Sequence, residues 1–386
     1  MPSATKPHFG YIDCLRGYAV TMVILCHLTY QFPELPYPVH RETVMGWFGV
    51  QLFFLASCLT LLMSWHYEAE RDGAADVGAF FLRRFFRIAP AYYMAGLLYF
   101  LLIPPPSGFD AWHAAASALF VNAWHPVLMP AVTGGWAVVP GGWSIGVEFT
   151  FYMVFPFFAV WTTTRTRALL VLGAAILVGL VVNLLAKADL DGIYQPSEIS
   201  NFLFFWFPNE MSVFALGGVL YFLIADPAHR IRNLMAQHAT LWATASLILF
   251  LLFAYIPVGH YLGDRPFIPV SLAICIPLAG FVLALSTGKT RFVNPIAAAM
   301  GKVSFSAYLL HFAVIQGVEA FPETFRRATP GVGAIVAFAA TFVLVAIVTY
   351  ILSWASYQAI EVPMQNVGKS LIRARQARSK ALGQNV

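Results

Sequence analysis

Charge is what this chain has least of: only 11% of its 386 residues are Asp, Glu, Lys or Arg, while 59% are hydrophobic. An ordinary soluble domain carries roughly a quarter charged residues, so a soluble fold of this length would lack the polar surface to cover its core. Cysteine is also scarce. The four, Cys14, Cys26, Cys58 and Cys275, sit in or beside apolar runs at no metal-ligand spacing, which argues against a disulfide framework or zinc site. The N-terminus shows no cleavable leader pattern, because its apolar run is too long and no small-residue cleavage site follows. No loop is long enough to fold as a separate domain. No internal repeat is evident, which counts against transporters built from repeated halves. The net charge of +5 resides in short basic segments flanking apolar runs and does not indicate nucleic-acid binding.

What is present in quantity is long apolar sequence. Ten runs near 13–32, 43–65, 88–105, 143–161, 168–186, 203–225, 239–257, 267–286, 295–318 and 334–358 approach the ~20 residues that cross a ~30 Å hydrocarbon layer. The expected fold class is therefore an all-α integral membrane protein of about ten transmembrane helices. An eleventh run, AWHAAASALFVNAW (111–124), is short and interrupted by polar residues. It is expected to be interfacial or re-entrant, within an outer segment near 106–142 rich in Gly, Pro and Trp. With ten spans and the N-terminus inside, 17 bases fall in inner segments and 5 in outer ones, and Lys302 lies within a span. That asymmetry follows the positive-inside rule and places both termini in the cytoplasm. A membrane domain over 1–368 and a basic cytoplasmic tail over 369–386, lying on the anionic inner leaflet, complete the expected organisation.

Ionisable groups inside apolar spans are candidates for function. In RGYAVTMVILCHL, Arg16 and His27 are eleven residues apart, which leaves them about 20° apart around a helix axis and about 16 Å apart along it. Asp13 lies near the same face, at i,i+3 spacing for an ion pair with Arg16. A snorkelling arginine and a packed histidine would also account for the pair. Ser144 and Glu148 are i,i+4 neighbours in a span entering from outside, preceded by Trp143; Asn209 and Glu210 lie at similar depth in another; Ser304, Tyr308 and His311 share a face of a third. Two imidazoles and two carboxylates at one level suggest acid–base chemistry, a carboxylate orienting an imidazole. On the inner side, FLRRFFRIAP sets Arg84 and Arg87 at i,i+3 with Arg83 beside them. This is either an ordinary cytoplasmic anchor or a phosphate clamp, since guanidinium forks match phosphate oxygens. A phosphate site inside and acid–base groups deeper in the membrane suit a long donor such as a coenzyme A thioester.

These stretches, taken in order, resemble the acyltransferase 3 family of integral-membrane acyltransferases over nearly the whole chain. They are YIDCLRGYAVTMVILCH, GVQLFFLASCLTLL, the Arg-x-x-Arg of RRFFR, WSIGVEFTFY, GKVSFSAYLLH and AIEVP. The resemblance implies transfer of an acyl group, commonly acetyl, from acetyl-CoA or another acyl-CoA to a hydroxyl of a carbohydrate or glycosylated acceptor. It implies His27 as the essential histidine, Arg16 as its paired base, and Arg84 and Arg87 as the donor motif. Expected roles are His27 as general base and Glu148 as the carboxylate orienting that histidine or the acceptor. Asp13, Trp143, Ser144, Glu210, Ser304, Tyr308 and His311 are expected as substrate or supporting residues, and no metal or permanently bound cofactor is expected. An acyl-enzyme on His27 remains an open variant. The sequence departs from the family at Ala56–Cys58, where Ser-Gly and an aromatic are common. A cysteine there is expected to crowd a helix contact and to narrow the donor channel, leaving the role of Ser57 in doubt. No appended hydrolase-like domain follows, so the membrane domain is expected to bind the acceptor alone, in a bacterial inner membrane. A lipid-linked glycosyltransferase, with Glu34 and Glu42 as its only early acidic candidates, and a proton-coupled transporter or exporter are the rival readings.

Overall fold

The computed structural model describes residues 10–105, 108–226, 229–256, 270–318 and 331–381. Lys6 and the outer bases Arg265, Arg326 and Arg327 lie outside the described residues, as do residues 382–386 of the tail. Among the described residues the fold is helical, with one isolated bridge between Asp191 and Tyr194.

The helices are α1 (Gly10–Thr29), α2 (Tyr37–Val44), α3 (Gly49–Asp72), α4 (Val77–Leu102), α5 (Ala111–Ala118), α6 (Trp143–Trp161), α7 (Arg165–Leu190) and α8 (Pro196–Phe205). They continue with α9 (Phe207–Ala225), α10 (Arg230–Gln237), α11 (Ala239–Leu252), α12 (Val270–Ser286), α13 (Pro295–Lys302), α14 (Ser304–Val318), α15 (Val332–Ser356) and α16 (Val362–Ala381). Among the described residues, seven helical segments are long and apolar enough to cross a membrane. Two bent pairs, 230–255 and 295–318, raise the number to nine, and Ser271–Ser286 is a shorter apolar helix. Each of the ten expected runs falls on one of these. The eight-residue α5 spans only about 12 Å, too short to cross, in line with the expected interfacial or re-entrant segment.

The helix boundaries follow local chemistry. Asp76 caps α4 by accepting from Ala79 N, so this helix begins eleven residues before the apolar run and carries RRFFR inside its second turn and beyond. Asn294 caps α13, and Pro295 occupies its first turn. Between α13 and α14 the chain turns by 82° at Val303. The turn leaves Lys302 exposed at a corner, which explains a lysine within an apolar run. A π-helical turn, Tyr357–Glu361, joins α15 to α16. The basic helix α16 runs back along the start of α4, where Arg375 pairs with Asp76 at 2.8 Å and Phe86 packs on Gly368.

Helix α1 is the hub, with Leu15, Ala19, Val20, Ile24 and Leu28 fully buried. In hydrocarbon, helices associate through small residues that admit close backbone approach, and α1 does this on two sides. A Cβ added to Gly17 would lie 2.0 Å from Ala297 O, and one on Gly301 would lie 1.6 Å from Asp13 O. Gly46 and Gly49 meet the carbonyls of Met22 and Ala19 in the same way. These contacts fix the rotation of α1, and with it the directions of Arg16 and His27.

Candidate active site

In RRFFR, successive residues diverge by 100° around α4 while i and i+3 share a face. Arg83 accordingly turns away and binds Glu68 of α3 at 2.8 Å. Arg84 and Arg87 face inward, where they line a cavity with Arg16 of α1, Ser57 of α3, Glu148 and Tyr152 of α6, and Ser304 and Tyr308 of α14. Phe53, Phe54, Ile88, Ile145 and Phe305 form its apolar wall, and Ser144 stands at its edge. The space between these side chains is about 620 Å³, mouth included.

Ser144, Glu148 and Tyr152 form one i,i+4 stripe on α6. Glu148 Oε1 accepts from Ser57 Oγ at 2.6 Å and from Tyr152 OH at 2.5 Å. Arg16 donates to Thr60 Oγ1 at 3.2 Å and lies within electrostatic reach of Arg84, Arg87, Asp13 and Glu148. The Arg84 guanidinium lies over the Tyr152 ring, 6.0 Å from its centroid, and its buried Nε has no hydrogen-bond partner among the described residues. Three guanidinium groups against one carboxylate leave the cavity with an excess of positive charge and unused donors, the condition for holding an anion.

The histidines are reached through Tyr308 of the cavity wall. Ser144 Oγ donates to Tyr308 OH at 2.8 Å, and Tyr308 OH donates to Gly141 O at 3.0 Å. One turn along, His311 Nδ1 donates to Tyr308 O at 2.7 Å. Its Nε2 is therefore left with a lone pair, buried and without a partner among the described residues. The ring of His27 lies 5.4 Å from that of His311 and 4.3 Å from Phe312. His27 does not line the arginine cavity; it stands beside His311, whose ring lies 5.7 Å from that of Tyr308.

Of the residues singled out in the sequence, the cavity thus gathers Arg16, Arg84, Arg87, Glu148, Ser144, Ser304 and Tyr308, with His27 and His311 adjoining. Asp13 is close to Arg16 through α1 and touches α13 through its backbone. The expected grouping of two imidazoles with two carboxylates at one level divides into three separate arrangements. The imidazoles meet each other. Glu148 binds Ser57 and Tyr152 rather than His27. Glu210 is wholly buried elsewhere, accepting from Gln51 at 3.1 Å and Ser271 at 2.8 Å between α3, α9 and α12, with Asn209 also bound to Ser271. Trp143 lies outside the cavity, its ring 4.3 Å from Phe205.

Three residues were missed or doubted. Tyr152 extends the Ser144–Glu148 stripe by one more i+4 step, a signal available in WSIGVEFTFY. Ser57 lines the cavity, whereas Cys58 faces the other way: a Cβ on Gly217 of α9 would lie 2.8 Å from that of Cys58. The glycine opposite makes room for the cysteine, so the departure at Cys58 does not constrict the cavity. Glu361, within AIEVP, is buried, accepts from Ser306 Oγ at 2.5 Å and lies within electrostatic reach of Arg87. Among the described residues, no group of three or more His, Cys, Asp or Glu converges as metal ligands do.

Fold and site together define a multi-pass integral-membrane protein with a cationic cavity and an imidazole pair next to its Tyr308 wall. The chain matches the acyltransferase domain family over residues 9–357 and belongs to that family. It is 24% identical over 327 residues to a Staphylococcus aureus (strain COL) protein whose own assignment as an O-acetyltransferase is provisional; the match covers 80% of this chain and 51% of that one. It is 25% identical over 319 residues to the acyltransferase MdmB of Streptomyces mycarofaciens, covering 78% of each. A provisionally assigned acetyltransferase of Acidianus two-tailed virus is 24% identical over 304 residues, 77% of this chain and 80% of its own. The chain spans about half the length of the staphylococcal relatives it matches. No solved structure matches it significantly.

Proposed function

We propose that this acyltransferase moves an acetyl or other acyl group from acyl-CoA to a hydroxyl of a carbohydrate-containing acceptor, using the membrane domain described above. The observation that carries the reading is the convergence of Arg16, Arg84 and Arg87 on one cavity whose wall residue Tyr308 is in contact with His311, beside His27. Arg84 and Arg87 bind the donor's phosphates from the cytoplasmic side of a bacterial inner membrane, with both termini on that side. Arg16 lies further along the donor, and Glu148, held by Ser57 and Tyr152, fixes the guanidinium groups in position.

In the chemical step, His27 takes the proton of the acceptor hydroxyl as its oxygen attacks the thioester carbonyl carbon. The tetrahedral adduct collapses with cleavage of the C–S bond, and the departing thiolate takes the proton back from the imidazolium. His311 Nε2, an acceptor with no partner among the described residues, lies beside the His27 ring, 5.4 Å between centroids, placed to take an N–H of His27 in the reacting complex and leave the other ring nitrogen for the hydroxyl. The test is binding of labelled acetyl-CoA to the protein in lipid nanodiscs. Saturable binding competed by CoA and weakened at least tenfold in an Arg84→Ala/Arg87→Ala variant is expected; absence of saturable binding to the wild-type protein would refute the donor assignment.

A further inference from the structure

The outer loop contains a second cavity that the donor chemistry does not use. It is lined by Asn122, Met129, Trp136, Val139, Gly142 and Trp143, among others, with about 360 Å³ between the side chains, inside the range of small-molecule pockets. Two polar residues on its wall, 8% and 9% exposed, have an unspent atom: Trp136 Nε1 and Asn122 Oδ1 are buried with no hydrogen-bond partner among the described residues, Asn122 setting Oδ1 against Gly146 and its Nδ2 toward Gly142 of the wall. Buried donors and acceptors of this kind cost stability unless something satisfies them. The one ionisable side chain on the wall, His113, is already occupied on both ring nitrogens by Asp110 Oδ2 (2.7 Å) and Val127 O (3.0 Å). The wall thus offers an indole N–H and a carboxamide, with indole faces for a ring's C–H surface and no unpaired charge, which suits a neutral, hydroxyl-bearing ring rather than an anion.

Its position ties this cavity to the reaction. Gly141, with φ +74°, accepts on its carbonyl from Tyr308 OH, and a Cβ there would lie 3.1 Å from Phe312, the ring that touches His27. Gly141 and Gly142 line this cavity, and Gly141 bears directly on Tyr308, a wall residue of the arginine cavity. Phe120, two residues before Asn122, takes φ +60°, a conformation costly for a non-glycine residue. It is held by stacking on Phe149 of α6 at 3.6 Å.

The same cavity opens sideways. Ser117, Trp136, Val138 and Val139 are shared with an apolar groove along α4 whose outer wall, Tyr93, Leu97, Phe100 and Phe109, is exposed on the bundle surface. This groove begins about 12 Å along α4 from Arg84, at the end opposite the phosphate-binding arginines. We infer that the outer cavity and its groove form the acceptor site, and that the acceptor is a neutral glycoside with an apolar aglycone. The sugar ring sits against Trp136 and Asn122, and the aglycone lies along Leu97 and Phe100, entering from the bilayer. This inference rests on the acyl-transfer reading.

The test uses the wild-type protein in nanodiscs and a benzophenone-bearing octyl β-glucoside as photoprobe, with crosslinks mapped by peptide mass spectrometry. Expected are adducts concentrated on the Tyr93–Phe100 turn and the Trp136 loop. Octyl β-glucoside should suppress them at least fivefold more effectively than methyl β-glucoside or octyl β-glucuronide. Crosslinks scattered over the lipid-facing helices, or equal competition by the glucuronide, would overturn the inference. Acetyl-CoA binding measured on the same sample separates this outcome from failure of the acyl-transfer reading. In a Trp136→Phe variant that still binds acetyl-CoA, probe labelling of the groove should fall at least threefold; unchanged labelling would count against the site.

Discussion

The rings of His27 and His311 lie 5.4 Å apart, and the Nδ1–H of His311 is committed to the carbonyl of Tyr308. This fixes the tautomer of His311 and gives His27 a neighbouring lone pair. A positioning residue of this kind acts on turnover more than on binding. His311→Ala is expected to lower kcat for acyl transfer by about 10- to 100-fold, within the contribution of a well-placed acid–base group, with donor KM changed less than threefold. His311→Gln, which keeps a side-chain acceptor, should recover part of the loss. Equal falls in both variants would reduce His311 to a packing role.

The RRFFR motif separates into two functions. Arg84→Ala and Arg87→Ala should each raise the donor KM by about 10- to 100-fold, the value of losing a charge-assisted hydrogen bond of ~1.5–3 kcal/mol. Arg83→Ala should leave it within about twofold, because Arg83 is spent on Glu68 and a partly exposed ion pair contributes only ~0–1 kcal/mol. Kinetics of the three variants against acetyl-CoA decide the matter; a comparable rise in Arg83→Ala would mean that general charge, rather than the inward face, binds the donor.

Among the described residues, Glu148 is the single acidic side chain lining the arginine cavity. Glu148→Gln should lower kcat about tenfold while leaving the donor KM unchanged or lower, since the change removes negative charge from an anion site. Ser57→Ala, which deletes one of the two hydroxyls on Glu148, should show the same pattern more weakly. A raised donor KM in Glu148→Gln would contradict the positioning role.

The glycine contacts of α1 provide a stability test. Gly17→Ala forces a methyl against a backbone carbonyl and should destabilise the bundle by ~1–3 kcal/mol. Gly173→Ala, in the middle of α7 with nothing within 4 Å, should stabilise it by ~0.5–1 kcal/mol. Thermal unfolding in nanodiscs distinguishes them, and a Gly17→Ala protein as stable as wild type would mean that α1 is free to shift.

How legible this was in the sequence depended on the range of the signal. Apolar length and polar interruptions are local, so the ten runs and the non-crossing 111–124 segment could be read directly. The Arg16–His27 face and the Ser144–Glu148 stripe follow from helical periodicity alone. Helix adjacency does not, which is why Glu210 was grouped with His27 although it packs against Gln51 and Ser271. The orientation of Cys58 depended on a glycine more than 150 positions away in the chain. The 82° turn at Val303 carried only one local hint, Lys302 within an otherwise apolar run. The outer cavity depends on where Gly141 meets Tyr308, a contact that no periodicity encodes.

The central claim is that His27 is the base that deprotonates the acceptor. Its most direct test is the rate of acyl transfer from labelled acetyl-CoA by purified His27→Ala protein in lipid, alongside its equilibrium binding of the same donor. The account predicts a loss of about 100-fold or more in rate with donor binding within threefold of wild type. Wild-type transfer by the variant would contradict it.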